Sequence, residues 1–230
     1  MNLNIPYMET DNKLLNDAYR IAAGDIVGNI VYYQNGLLTE EKPCMIAGLD
    51  YNTPWTRDTA INIWNALSIL SPEVSKNTLL AVLEEEEGNI YIGGQYWDSI
   101  IWMIGAREYC RFHKDDNFYR LAFEAGRNSV HRLEEDEFDE EDGLFRGPAV
   151  YGDGIAAYPD KYSKCPNQGS GILEWVDYPG NPVYPKGYGI PMKALSTNCV
   201  YFKVYEILAE MAHALGEPAK EFEEKAAAMK

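Results

Sequence analysis

Apolar side chains recur at three- and four-residue intervals along most of this chain, the spacing that gives an α-helix one buried face. Leu14, Leu15, Ala18, Ile21 and Ala22 predict a first helix over about 11–31, with Thr10 or Asp11 as its cap. A loop broken by Gly36, Pro43, Gly48 and Pro54 then runs to Trp55. A second helix starts near Asp58, with Ile61, Trp64, Ala66 and Leu67 on its apolar face, and Ser71-Pro72 stops it. The third, over about 75–86, ends at Gly88; Glu84, Glu85, Glu86 and Glu87 oppose its dipole, and we read them as a solvated end. Helices over about 98–113 and 116–133 come next, the latter turning Phe118, Leu121, Ala122, Ala125 and Val130 inward. Two more, over about 196–215 and 218–230, complete the series.

Between about 134 and 195 the periodicity stops, and Gly, Pro, Tyr and Asp recur instead. Loops this long inside compact domains are functional or disordered, and the aromatic content of this one favours an ordered, functional segment. No alternating run of the kind a strand needs recurs. The expectation is an all-α, single-domain chain over 1–230, built of stacked helical hairpins with long loops gathered at one end.

Composition narrows the partners. The chain is 46% hydrophobic and 24% charged, within the globular range, yet it carries 17 Tyr, 5 Trp and 7 Phe. Tyr and Trp suit surfaces that meet both apolar and hydroxylated groups. A net charge of -16 would repel nucleic acid and anionic membrane, whereas a neutral substrate is compatible with it. The first residues, Met1-Asn2-Leu3-Asn4-Ile5-Pro6, lack the basic start and apolar run of a signal peptide. Cys44, Cys110, Cys165 and Cys199 are scattered, as reduced thiols of a cytoplasmic protein are.

Several chemistries drop out. There is no phosphate loop or dinucleotide fingerprint, and Gly169-Ser170-Gly171 lacks the spacing of a nucleophile elbow. The run Asp139-Glu140-Glu141-Asp142-Gly143 fails as a calcium loop, because its first and twelfth positions would be Phe138 and Ala149. Cys110 and His113 share a helix face without a second pair, so no metal and no cofactor is expected. What remains is carboxylates among aromatics. Tyr51-Asn52-Thr53-Pro54-Trp55-Thr56-Arg57-Asp58-Thr59 sets an indole beside an Arg–Asp pair. Asp58 serves equally as a helix cap there, and local chemistry alone leaves both readings open. Gln95-Tyr96-Trp97-Asp98-Ser99 repeats the aromatic–acid pairing at a second helix start, with the same two readings. In Asp142-Gly143-Leu144-Phe145-Arg146, with Tyr151-Gly152-Asp153-Gly154 shortly after it, Asp153 stands outside any expected helix. It is either an Asp-Gly turn or a carboxyl whose pKa is raised by aromatic surroundings, as a general acid requires.

Taken in order, Trp55-Thr56-Arg57-Asp58-Thr59, Tyr96-Trp97-Asp98 and Asp142-Gly143-Leu144-Phe145-Arg146 with Tyr151-Gly152-Asp153 resemble the six-hairpin glycosidases. That superfamily includes glucoamylases, trehalases, α-L-rhamnosidases and the glucosidase domains of glycogen-debranching enzymes. The resemblance spans about 50–159, and Trp-x-Arg-Asp-Thr is its most specific element. It implies an (α/α)6 barrel and an inverting glycoside hydrolase acting on an oligosaccharide or polysaccharide. Arg57 and Asp58 would then hold the sugar with Asp98, while Trp55, Tyr96 and Trp97 wall the pocket. Asp153 would be the general acid, with Asp142 and Glu174 in reserve. Two rivals are a sugar epimerase or polysaccharide lyase on the same barrel, using one of His113, His131 and His213, and a non-catalytic sugar-binding protein. Six hairpins take twelve main helices and the pattern supplies about seven. The remaining half of the barrel, with the general base, is therefore expected from a longer chain.

Overall fold

Helices dominate the computed structural model, which describes residues 5–94, 97–147, 149 and 192–230. Two compact units are distinguished: one holds Met1–Gly94 and Ile101–Ala125, the other Gln95–Ile100 and Gly126–Lys230. No described helix is long and apolar enough to cross a membrane.

In the first unit, α1 (Lys13–Gly28) is capped by Asn12, not by Thr10 or Asp11; the Asn12 side chain accepts from Leu15 N at 3.3 Å. Thr10 instead holds the Asn16 side chain, its N–H and hydroxyl both donating to Oδ1. No residue of α1 is buried, and Leu14 and Ile21 on its apolar stripe lie mostly in solvent. The helix stops earlier than the periodicity suggests. Ile30-Val31-Tyr32-Tyr33 is β-branched and aromatic, and it forms β1 (Ile30–Tyr33), antiparallel to β2 (Lys42–Met45).

The second predicted helix is α2 (Thr56–Asn62), a π turn (Ile63–Leu67) and α3 (Ser68–Leu70) in succession. A π turn inserts a residue and rotates the rest of the helix about its axis. The buried apolar side chains of the run are Ala60, Ile63 and Leu67, while Trp64, expected inside, is half exposed. Next comes α4 (Pro72–Ala81), with proline at its first position, where the missing N–H costs nothing. Its Thr78 hydroxyl donates to Val74 O at 2.6 Å and accepts from Met45 N at 3.0 Å, joining helix to hairpin.

The third helix thus ends at Ala81, short of the expected 86. Leu83–Glu86 is β3 and pairs with β4 (Asn89–Ile92) through a Glu87-Gly88 turn, both residues having positive φ (52° and 81°). That is the pattern of a tight hairpin turn. Acidic side chains oppose a helix C-terminus, which favours their departure into a strand; Glu84 to Glu87 remain solvated, as expected. The carbonyls left at the end of α4 are met by the β1–β2 loop: Leu37 N donates to Leu80 O at 3.1 Å. This approach requires glycine at 36, where φ is +59° and a Cβ would sit 2.6 Å from the carbonyl oxygens of Leu80 and Leu83. Gly36→Ala should destabilise the chain by about 2 kcal/mol or more. Urea unfolding measures it, and an unchanged midpoint would refute the account of this turn.

The last two pieces of this unit are the body of α5 (Trp97–Phe112) and the start of α6 (Asp116–Glu137). Trp102 is fully buried, its indole N–H donating to Leu79 O at 3.2 Å, with Phe118 6.2 Å from its ring. Gly105 permits α5 to approach α2 closely, since a Cβ there would lie 2.8 Å from Ala60 Cα. Phe118, Ala122 and Ala125 are buried as their spacing predicts.

In the second unit the end of α6, where Val130 is buried, leads into a short hairpin, β5 (Phe138–Asp139) with β6 (Leu144–Phe145). Helices α7 (Leu195–Leu215) and α8 (Lys220–Ala228) complete it. Phe145 stacks on Tyr201 with ring centroids 3.6 Å apart. The Asn198 amide pairs with both backbone groups of Phe145, accepting from its N at 2.8 Å and donating to its O at 3.0 Å. Gly216, at φ +72°, ends α7, and Glu217 N closes onto Ala212 O at 2.9 Å.

Candidate functional site

The Trp55–Asp58 run forms a junction in the first unit. Trp55 occupies the N-cap position of α2 in extended conformation, and its carbonyl accepts from Thr59 N at 2.8 Å. Asp58 is therefore not the cap. It stands in the first turn, where a carboxylate complements the helix dipole. Buried Thr56 anchors the turn by donating to Gly93 O at 2.8 Å. The Trp55 indole stays 52% exposed, with the Tyr51 ring edge-on at 6.1 Å. Arg57 Nε lies 3.8 Å from Asp58 Oδ2, and both side chains are partly buried. The Tyr51–Trp55 ring pair and the Arg57–Asp58 pair thus adjoin along the chain at the start of α2.

Trp97 and Asp98 begin α5, Asp98 in its first turn and half-buried; both belong to the second unit. Asp142 is in the second unit as well. Its Oδ2 is 2.5 Å from Lys193 Nζ, and its side chain is exposed. The same ammonium lies 2.7 Å from Asp139, which Arg146 also approaches at 3.1 Å. Lys193 and the Glu141 N–H hold the Asp139 carboxyl down at about 2. These contacts make Asp139 and Asp142 anchors of the β5–β6 hairpin. An exposed carboxylate on an ammonium is the reverse of the desolvated setting a general acid needs. Tyr96, Asp153 and Glu174 lie outside the described residues.

Apart from His131, a candidate base in the rival reading, the second unit also holds groups that sequence reasoning passed over. A cavity of about 630 Å³ is lined by His131, Glu134, Phe138, Tyr205, Glu221 and Lys225, among others. Glu134 accepts from Tyr205 OH at 2.5 Å and from Lys225 Nζ at 2.8 Å. Glu221 Oε1 accepts from Lys225 Nζ at 2.6 Å and from His131 Nε2 at 2.9 Å. Burial alone would lower the Lys225 pKa, but the hydrogen bonds to Glu134 and Glu221 prevail and raise it. Beside this network Glu137 is buried at the end of α6, its Oε2 without a hydrogen bond among the described residues. Burial, reinforced by the Asp136 charge and opposed by Arg146, pushes its carboxyl up to about 8. Spacing offers no signal for any of this: charged residues on amphipathic helices read as solvated faces.

The histidines are engaged. His113 Nε2 donates to Ser68 O at 2.6 Å, and His213 contacts Glu223 at 2.7 Å, as His131 does Glu221. A ring nitrogen donating to a carbonyl is not the free base that proton abstraction from carbon requires. Compared with protein-family models, curated proteins and solved structures, the chain matches none.

Proposed function

We propose that this chain is part of a cytoplasmic, inverting glycoside hydrolase that removes a terminal sugar from an oligosaccharide or polysaccharide. The (α/α)6 barrel belongs to the same proposal. The observation that carries it is the Trp55 junction: a half-exposed indole for the apolar face of a sugar ring, with Arg57 and Asp58 beside it to bond hydroxyls. The predominantly helical fold and the succession of aromatic–acid pairs at helix starts support the same reading. Asp153 is the proposed general acid, and Asp98, Trp97 and Tyr96 further sugar-binding residues.

Binding is the direct test of the junction. Titrating monosaccharides and short oligosaccharides against tryptophan fluorescence should give saturable quenching. Trp55→Ala and Asp58→Asn should each weaken binding about tenfold, the loss of roughly 1.4 kcal/mol. Unaltered affinity in both variants would remove the junction from any sugar site. Product release from a panel of aryl glycosides then separates a hydrolase from a sugar-binding protein.

A further inference from the structure

His131 and Glu134 are one turn apart on the same face of α6, and Glu221 faces them from the first turn of α8. One donor atom from each, an imidazole nitrogen and two carboxylate oxygens, falls within 4.8 Å of the others. Ligands of a single first-row ion, each about 2.0–2.2 Å from it, lie about 3–4 Å apart, so a shift of about an ångström closes the set. The imidazole is already oriented: its ring stacks on Phe222 at 19° and 6.2 Å, with Nε2 on Glu221. Glu134 is oriented too, by the Tyr205 hydroxyl, as ligating carboxylates are by their own partners. Carboxylates of both glutamates converge on one positive charge, the Lys225 ammonium, at 2.6–2.8 Å. The cavity beside them has room for water to complete a coordination shell.

Tyr201, fully buried, lies near the same carboxylates. Its hydroxyl has no hydrogen bond among the described residues, and it is close enough to Glu137 and Glu134 to feel both charges.

We propose that His131, Glu134 and Glu221 form a three-ligand site for a divalent first-row transition metal of the zinc class, for which the Lys225 ammonium competes. Imidazole with carboxylates suits zinc, nickel and cobalt better than calcium or magnesium, which take oxygen donors alone. Lys225 is on a flexible stem in the last turn of α8 and is one-third exposed, so it can withdraw into solvent as the ion enters. The bound ion would clasp α8 to α6.

The test is a titration of the 230-residue chain with Zn²⁺ by calorimetry and with Co²⁺ by visible absorption. One ion per chain is expected, with a rise in melting temperature on zinc addition. His131→Ala should weaken binding about tenfold or more, and Glu221→Gln provides an independent deletion, with circular dichroism checking that each variant folds. Lys225→Met removes a positive charge yet should tighten binding several-fold, the opposite of what loss of a purely structural ion pair predicts. The proposal falls if neither the parent nor Lys225→Met binds one ion saturably. It falls equally if binding is indifferent to His131→Ala and Glu221→Gln, or if Lys225→Met weakens it.

Discussion

Glu137→Gln should leave the chain about as stable as the parent near pH 4 and clearly more stable at pH 9. The Glu137 carboxyl titrates at about 8 in the folded protein against 4.5 ordinarily, because burial disfavours its charge. Below 4.5 it is protonated in both states and has no differential effect. As pH rises from 4.5 to about 8, the unfolded chain releases its proton first, so the native state holds more protons and its stability falls with pH. Above about 8 the loss is complete. At roughly 1.4 kcal/mol per pH unit, the window sets a ceiling of about 5 kcal/mol. Glutamine keeps the shape and cannot ionise, so the variant should lack this component. Urea unfolding of both proteins from pH 4 to pH 9 decides it; curves that run parallel would mean Glu137 ionises freely in the folded state.

Asp153→Asn carries the largest expected effect on activity, measured in a chain that also contains the general base. If Asp153 protonates the leaving oxygen, its amide should cut turnover by about a hundredfold to ten-thousandfold while sugar binding persists. Asp142→Asn is the matched control. Asp142 is exposed and paired with Lys193, so its amide should cost at most about 1 kcal/mol of stability and leave turnover intact. A glycoside whose release slows for Asp142→Asn and not for Asp153→Asn would exchange the two assignments. Slowing in neither would transfer the role to Glu174.

The long helices were legible because each keeps one phase over many turns. Phe118, Ala122, Ala125 and Val130 of α6 are buried where their spacing puts them. The hairpins were not, for two reasons. Four-residue strands are too short for alternation to declare itself, and Ile30 and Val31 continue the apolar rhythm of α1 without a break. Glu84 to Glu86 did carry a signal: their conflict with a helix C-terminus, which we read as a solvated helix end, was the sign of a strand. At the Trp55 junction, adjacency in sequence becomes adjacency in space, so the cluster can be read directly. The His131–Glu134–Glu221–Lys225 network joins residues about ninety positions apart, and nothing in either segment announces the other.

The π turn at Ile63–Leu67 makes the helical run from Thr56 to Leu70 a rod in two phases. Regular α-helix would place each later side chain about 100° from where it stands, the rotation of a single residue. Removing one residue between Ile63 and Leu67 would let the wide turn close to regular α-helix. Side chains on both sides of the deletion would keep their faces, with Leu67 still turned to the interior. A chain otherwise alike but one residue shorter here would carry the same residue pattern up to Pro72 on an unbroken α-helix.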